Sequence, residues 1–271
     1  MRDLNQLVVL VRGAGEMATG VAHRLARAGF RLCLTEIAAP QAVRREVSFC
    51  EAAYEGEKSV EGVTASLIAE PSQIAGVWEG GKVPLLVDPP CQVRATLRPD
   101  VVVDAILAKR NLGTSSEWAP LVIGLGPGFR AGGDVHMVVE TNRGHDLGRL
   151  LLEGEAEPNT GIPGTIEGFT EERVLRAPQE GLFRYDARRI GDLVEAEDIV
   201  AYVGQAPVKA SIRGVLRGLI RESVPVHKGM KVGDVDPRAK REHCFTISDK
   251  ARAIGGGVLE GIMFFYNRKD F

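Results

Sequence analysis

A glycine-rich turn directly follows the first apolar run of the chain. Residues 7–11 are apolar, the turn after them reads Gly-Ala-Gly-Glu-Met-Ala, and an amphipathic segment comes next. A strand, a turn of this pattern and a helix bind the pyrophosphate of a dinucleotide, because the glycines let backbone approach the phosphates. An acid at the end of the second strand would bind a ribose hydroxyl. The alternative is that the glycines serve only close helix–sheet packing. The predicted cofactor contacts are Gly13, Ala14, Gly15, Glu16, Met17 and Glu36.

The elements that would position this turn are a series of buried strands. Apolar runs bounded by turn residues occur at 31–35, 83–87, 101–103, 121–125 and 135–139. Continuous apolar runs are typical of parallel strands that are buried on both faces. We therefore predict an α/β fold with a Rossmann-like parallel sheet, in which the carboxyl ends of the strands form the ligand crevice. Asp88 and Asp104 end two of these runs, so each is a candidate cofactor contact or, alternatively, a turn cap.

Two polar segments after strand ends suit an anionic ligand. Gly126 and Gly128 follow the run 121–125, and they either free backbone amides to line an anion site or simply turn the chain. Lys109 and Asn111 follow Asp104 and combine a fixed charge with an amide donor, which suits a phosphate or a carboxylate. A solvated helix end would have the same composition.

The candidates for catalysis are two histidines, a cysteine and the acid–base pair that follows it, namely His136, His145, Cys244, Asp249 and Lys250. His136 and His145 lie among several carboxylates and suit acid–base chemistry or substrate contact, with a structural hydrogen-bond network as the alternative. We predict no metal site, because they lack the tight i, i+4 spacing of a helix-borne zinc site. Cys244 lies close in sequence to Asp249 and Lys250, and a cationic neighbour would lower the pKa of its thiol and make it reactive.

Composition and charge argue against a nucleic-acid-binding protein and against a membrane protein. The 271 residues carry a formal net charge of −2, with basic residues scattered among the acids, so we expect no nucleic-acid partner. The first apolar run is short and ends in a glycine turn, so it predicts neither a signal peptide nor a membrane span. We therefore expect a cytoplasmic protein. The four cysteines have no paired CxxC spacing, which favours reduced thiols.

The second half of the chain has a different residue pattern and contains a weak internal repeat. From about residue 171, short strands alternate with charged turns, and 177–199 lines up with 210–231. The repeated pattern resembles a half-motif of the biotinyl/lipoyl barrel-sandwich hybrid, although Glu197 and Ser223 stand where that motif prefers glycine. The hairpin between the halves has no lysine at its tip, which favours a structural or docking β module over a covalent carrier. We predict a Rossmann-like domain at 1–168, this module at 169–237, and a helical segment at 238–271 that packs back on the first domain.

Several segments together resemble the YqeB family, accessory proteins of the selenium-dependent molybdenum hydroxylase system. The resemblance lies in residues 11–25, 100–114, 124–129, 140–149 and 247–257. It implies a maturation factor that binds molybdopterin or its dinucleotide form and aids installation of selenium or sulfur on the molybdenum cofactor. The implied partners are a molybdenum hydroxylase or its cofactor-maturation proteins. An NAD(P)-dependent oxidoreductase and a noncatalytic docking scaffold are the alternatives, and a homo-oligomer is possible.

Overall fold

The computed structural model describes residues 4–162 and 164–267 and divides into two compact units. The first unit comprises the residues up to Pro40, Ser48–Asn159 and the residues from Ile247 onward. The second comprises Gln41–Val47 and Thr160–Thr246. The sequence predicts domain boundaries after residues 168 and 237, whereas the structural boundaries of the second unit's larger part lie after Asn159 and Thr246. In the described part of the chain, no helix combines the length and the apolarity that a membrane crossing requires.

A large, mostly parallel sheet forms the first unit, so the α/β expectation is confirmed. In spatial order the strands are β10-β9-β7-β6-β1-β2-β5-β4-β3, and all neighbours from β9 to β4 are parallel. The strands are β1 (Val8–Arg12), β2 (Arg31–Glu36), β3 (Glu57–Val60), β4 (Val63–Ile68), β5 (Val83–Val87), β6 (Val101–Asp104), β7 (Leu121–Leu125), β9 (Met137–Val139) and β10 (Leu150–Leu151). A separate two-stranded sheet pairs β8 (Arg130–Ala131) with β11 (Gly154–Glu155).

The chain changes direction across this sheet at β1. Strand β2 lies on one side of β1 and β6 on the other, which makes the carboxyl end of β1 the topological switch point. Strands β6 and β7 are buried along their whole length, as expected for parallel strands covered on both faces. Their ends therefore fix the loops that follow them.

Two longer helices pack closely against each other in this unit. The helices are α1 (Glu16–Arg27), α2 (Ala52–Glu55), α3 (Ile74–Glu79), α4 (Arg94–Leu97) and α5 (Asp249–Asn267). Helix α1 approaches α5 at Gly20, where a Cβ atom would lie 2.7 Å from the Cβ of Ala251. A Cβ at Gly255 would in turn lie 2.9 Å from the carbonyl oxygen of Gly20. Glycine at both positions lets the two backbones meet. Short 3-10 turns occupy Leu4–Gln6, Phe49–Glu51, Pro71–Gln73 and Ser116–Trp118.

The second unit consists of two antiparallel four-stranded sheets. Their orders are β12-β19-β17-β14 and β16-β15-β13-β18, and apolar residues of both sheets form one core. The strands are β12 (Val174–Arg176), β13 (Gly181–Tyr185), β14 (Leu193–Val194), β15 (Ile199–Val203), β16 (Ala206–Lys209), β17 (Gly214–Leu219), β18 (Pro225–Val226) and β19 (Lys231–Asp236). Further 3-10 turns lie at Arg45–Val47, Glu171–Arg173 and Arg241–Cys244.

The weak sequence repeat is visible in the strand pairing of this unit. In each half a longer strand is followed by a short one, β13 by β14 and β17 by β18. The halves exchange these strands, since β13 pairs with β18 and β17 pairs with β14. The corresponding turn residues Gly191 and Ser223 have φ values of +99° and +64°, and Glu197 and Gly229 have +70° and +82°. Glu197 and Ser223 thus adopt the left-handed conformation that glycine favours.

Candidate functional site

The glycine turn after β1 has the close backbone contacts that its sequence predicts. Gly13 has a φ of +101°, and a Cβ atom there would lie 3.1 Å from the carbonyl oxygen of Ala105. Its N–H donates to the carbonyl oxygen of Thr35 at 2.8 Å. The turn is therefore locked between the ends of β2 and β6, and only glycine fits at its first position.

Open space lies at the start of helix α1. Gly15 is the N-cap residue, makes no side-chain cap, and would have nothing within 4 Å of an added Cβ. The amides at a helix start carry partial positive charge, which attracts phosphate. Glu16 accepts a hydrogen bond from the Ser248 hydroxyl at 2.8 Å, which ties this turn to the start of α5. Met17 is buried and packs in the core, so its expected cofactor contact is not supported.

The carboxylates predicted to contact a cofactor instead accept hydrogen bonds from the backbone of nearby turns. Glu36 accepts from the N–H of Ala14 at 2.9 Å and from the N–H of Ile37 at 2.8 Å, so it shapes the glycine turn itself. Asp88 accepts from the N–H of Val93 at 2.7 Å and caps the turn after β5. The turn-cap alternative therefore describes the observed contact of Asp88.

A buried ion pair anchors the loop after β6. Asp104 is 2 % exposed, and its carboxylate accepts from Arg12 at 3.2 Å and from the Thr114 hydroxyl at 2.6 Å. The Arg12 guanidinium also donates to the carbonyl oxygen of Leu112 at 3.2 Å. Asn111 exchanges two hydrogen bonds of 2.8 Å with the backbone of Thr114. Asp104 and Asn111 therefore position this loop, and the structure does not support a direct cofactor contact for Asp104.

The loops after β6 and β7 meet at the same edge of the sheet. Gly126 has a φ of +74° and donates its N–H to the carbonyl oxygen of Val139 at 2.8 Å. Gly128 has a φ of +103°, and a Cβ atom there would lie 2.5 Å from the Cα of Arg110. Lys109, next to Arg110, is exposed at this edge. The two predicted anion segments are therefore neighbours in space.

The start of α5 brings a half-buried lysine to these loops. Burial lowers the pKa of Lys250, the positive charges of Arg143 and Lys109 lower it further, and Glu16 opposes the shift. Arg143 holds Asp249 by two hydrogen bonds of 2.8 Å, so Asp249 is engaged in an ion pair. His145, on the loop that also carries Arg143, is exposed.

His136 lies away from this edge. It directly precedes β9, so it is at the amino edge of the parallel sheet, whereas the loops described above leave the carboxyl edge. Its Nδ1 accepts from the N–H of Val122 at 3.0 Å, and burial lowers its pKa. The expectation that His136 belongs to the site is therefore not supported. Its hydrogen bond with Val122 fits the alternative, a structural hydrogen-bond network.

Cys244 does not have the properties of a reactive thiol. It lies in the second unit, is 1 % exposed, and its Sγ donates to the carbonyl oxygen of Leu216 at 3.8 Å. Burial raises the pKa of its thiol to about 11, although Arg44 and Arg217 act in the opposite direction. The prediction of a low-pKa thiolate was therefore wrong, because desolvation outweighs the cationic neighbours. Cys33, Cys50 and Cys91 are buried as well.

Sequence reasoning missed four exposed apolar side chains at the carboxyl edge. Ile37 and Val87 are 45 % and 44 % exposed, and they lie on adjacent strand ends because Glu36 pairs with Val87. On the other side of β1, Ile106 and Leu112 are 38 % and 42 % exposed in the loop after β6. Their position directly at the ends of apolar strands was the available signal. In the described residues, no group of three His, Cys, Asp or Glu side chains is placed to hold a metal ion.

Comparison with known proteins identifies one informative relative. The chain is 48 % identical over 264 residues to the uncharacterized protein YqeB of Escherichia coli, a match that covers 97 % of this chain and 48 % of that protein. The chain thus spans about half the length of the curated relative it matches. The similarity supports the YqeB family resemblance.

No family model matches the chain. Two solved structures of the ectoine utilization protein EutE (DoeB) from Ruegeria pomeroyi, apo and product-bound, are 13 % and 14 % identical to it. Each match covers 85 % of this chain, and 86 % and 85 % of the respective EutE chains, with a TM-score of 0.26. At that score the likeness carries no argument about this chain.

Proposed function

We propose that this chain, as a relative of YqeB, binds a dinucleotide-type ligand at the carboxyl edge of its parallel sheet. Molybdopterin dinucleotide is the candidate, and the role is that of an accessory factor which holds this cofactor during maturation of molybdenum hydroxylases. A Rossmann-like arrangement of the first unit supports the proposal, because dinucleotides lie across the switch point of such sheets.

The observation that carries the proposal is the symmetry of the surface around the glycine turn. The open helix start at Gly15 faces solvent, with the apolar pair Ile37 and Val87 on one side of β1. The second apolar pair, Ile106 and Leu112, lies on the other side. A dinucleotide has a ring system, a pyrophosphate and a second ring system in the same order. Apolar side chains beside a phosphate site match the ordinary composition of cofactor pockets.

The buried cysteines favour binding over sulfur transfer. Thiolate is the nucleophilic form of cysteine, and burial raises the pKa of all four thiols, which makes thiolate scarce at neutral pH. These thiols therefore favour a protein that binds the cofactor, while another protein supplies the selenium or sulfur.

We interpret the second unit as a barrel-sandwich-hybrid-like docking module. The exchange of β14 and β18 between its halves supports this interpretation, because paired half-motifs build that fold. Lys209 is exposed but lies at the end of β16 and forms an ion pair with Glu197 at 3.0 Å. This engagement, away from the hairpin tip, favours a docking module over a covalent carrier.

Calorimetric titration with a panel of dinucleotides tests the proposal. The panel contains molybdopterin cytosine dinucleotide, molybdopterin guanine dinucleotide, NAD and NADP. We expect the unmutated protein to bind a pterin dinucleotide. Gly15→Val places a branched side chain in the open space at the helix start, and we expect it to weaken binding at least about tenfold, roughly 1.4 kcal/mol. Gly76→Val is the matched control, because Gly76 also has open space around it but lies on α3.

The outcomes separate the function classes. Binding of NAD or NADP without any pterin dinucleotide would replace the maturation role by that of an oxidoreductase. Absence of binding by any member of the panel would overturn the proposal and favour a docking scaffold.

A further inference from the structure

Three basic side chains at the carboxyl edge have no hydrogen-bond or ion-pair partner in the described part of the chain. Lys109, Arg110 and Lys250 donate no hydrogen bond there and form no ion pair. They come from two distant segments, the loop after β6 and the start of α5. The backbone of Arg110 packs against Gly128 in the loop after β7, and Gly126 of that loop packs against Thr141. Arg143, two residues after Thr141, holds Asp249 beside Lys250, and the charge of Lys109 acts on Lys250, so the two segments converge on one surface. We call these three residues the cation cluster.

The acids near the cluster are engaged by other groups. Glu140 accepts from the N–H groups of Thr141 and Asn142 at 2.6 Å and of Glu157 at 2.7 Å. Glu16 accepts from the Ser248 hydroxyl. Asp249 is held by Arg143. These contacts occupy carboxylate oxygens of the three acids. The charges of Glu16 and Glu140 still act on Lys250, but the donor groups of the cation cluster stay available to an anion.

The backbone that presents the cluster is in a rare conformation. Leu107 and Lys109 have φ values of +60° and +62°, which side chains other than glycine seldom adopt. Such conformations persist only where surrounding structure enforces them, and they concentrate at ligand sites. Here the buried pair of Arg12 and Asp104 and the missing side chain at Gly128 hold the loop in place.

We propose that the cation cluster binds the second phosphoryl group of a diphosphate whose first phosphoryl group lies at the start of α1. This inference rests on the proposed function and deepens it, because it assigns Lys250 as the main electrostatic anchor and makes the site selective for diphosphates over monophosphates. Half-buried Lys250 has lost part of its hydration, so an anion that reaches it replaces solvent in a favourable way. The ammonium group of Lys109 and the guanidinium of Arg110 add charge from the exposed side.

The test measures inorganic pyrophosphate and inorganic phosphate by calorimetry, since neither requires a known base. We expect the unmutated protein to bind pyrophosphate at least tenfold more tightly than phosphate. Lys250→Met should weaken pyrophosphate binding at least tenfold and remove the preference, whereas Lys250→Arg should keep affinity within about threefold because it keeps the charge. Lys82→Met is the matched control, because Lys82 directly precedes β5 at the amino edge and pairs there with Glu57.

Several results would contradict binding of the diphosphate by the cation cluster. Unchanged pyrophosphate binding by Lys250→Met, equal affinity for phosphate and pyrophosphate, or no pyrophosphate binding by the unmutated protein would overturn the inference. Lys109→Met, at an exposed position, provides a second variant whose folding is not at risk and should weaken binding in the same direction. Dinucleotide binding that responds to Gly15→Val but not to Lys250→Met would overturn the inference and leave the proposed function standing.

Discussion

Three consecutive glycines in helix α5 give a sharp test of how this helix is held. Replacing a glycine inside a helix by alanine stabilises the helix by about 1 kcal/mol when the methyl group meets nothing. Gly256 has nothing within 4 Å of an added Cβ, so Gly256→Ala should gain that amount. At Gly257 the same atom would overlap the carbonyl oxygen of Gly148. Overpacking of this kind costs about 1 to 3 kcal/mol, so Gly257→Ala should be about 1 to 3 kcal/mol less stable than Gly256→Ala.

Thermal unfolding and hydrogen exchange measure this difference. Because the chain has two units, a single unfolding midpoint can mix two transitions, so exchange at the amides of α5 is the decisive observable. We expect those amides to exchange faster in Gly257→Ala than in Gly256→Ala. Equal protection in the two variants would refute the packing of α5 on the turn at Gly148. It would also contradict a fixed position of Lys250 at the start of α5.

Two further predictions concern the second unit. Since burial raises the pKa of the Cys244 thiol to about 11, roughly one thiol in ten thousand is ionised at pH 7. Iodoacetamide should therefore leave Cys244 unlabelled until the protein is denatured, and rapid labelling of the native protein, read by peptide mass, would restore the reactive-thiol hypothesis. Burial alone would raise the pKa of Asp236, but hydrogen bonds from Arg238 and the charge of Arg217 lower it below its usual value. The stability from Asp236 should be present above the ordinary aspartate pKa and be lost as pH falls toward the lowered value. Urea unfolding of Asp236→Asn should depend less steeply on pH in that range, and an unchanged slope would contradict this.

Local patterns in the sequence predicted the parts of the fold that depend on near neighbours in the chain. The strand, the glycine turn and helix α1 are set by apolar runs and by the conformation that Gly13 requires. The repeat in the second half was detectable because 177–199 and 210–231 share a residue pattern. Glu197 and Ser223 depart from that pattern, yet they keep the turn conformation that glycine favours. These features need only a few adjacent residues to specify them.

The sequence misled where a property depends on burial by distant segments. The cations that act most on Cys244 are Arg44 and Arg217, which are distant in sequence, and not the predicted Lys250. Its thiol is also desolvated by strands that come earlier in the chain. Asp104 looked available to a ligand because it ends a strand, but Arg12 and Thr114 take up its carboxylate. His136 stands in a polar-looking segment, but the direction of β9 puts it at the opposite edge of the sheet. The residues adjacent in sequence do not determine this burial, these partners or this strand direction.

The anion preference proposed for this chain arises from its folding and not from its composition. A formal net charge of −2 would by itself disfavour a phosphate ligand. At the carboxyl edge, however, Glu36, Asp104 and Glu140 accept hydrogen bonds from the protein's own backbone and side chains, while Lys109 and Lys250 receive no such partner in the described residues. The fold holds the oxygens of these acids in other contacts and leaves the ammonium groups of Lys109 and Lys250 able to bind an anion, which is the basis of the proposed site.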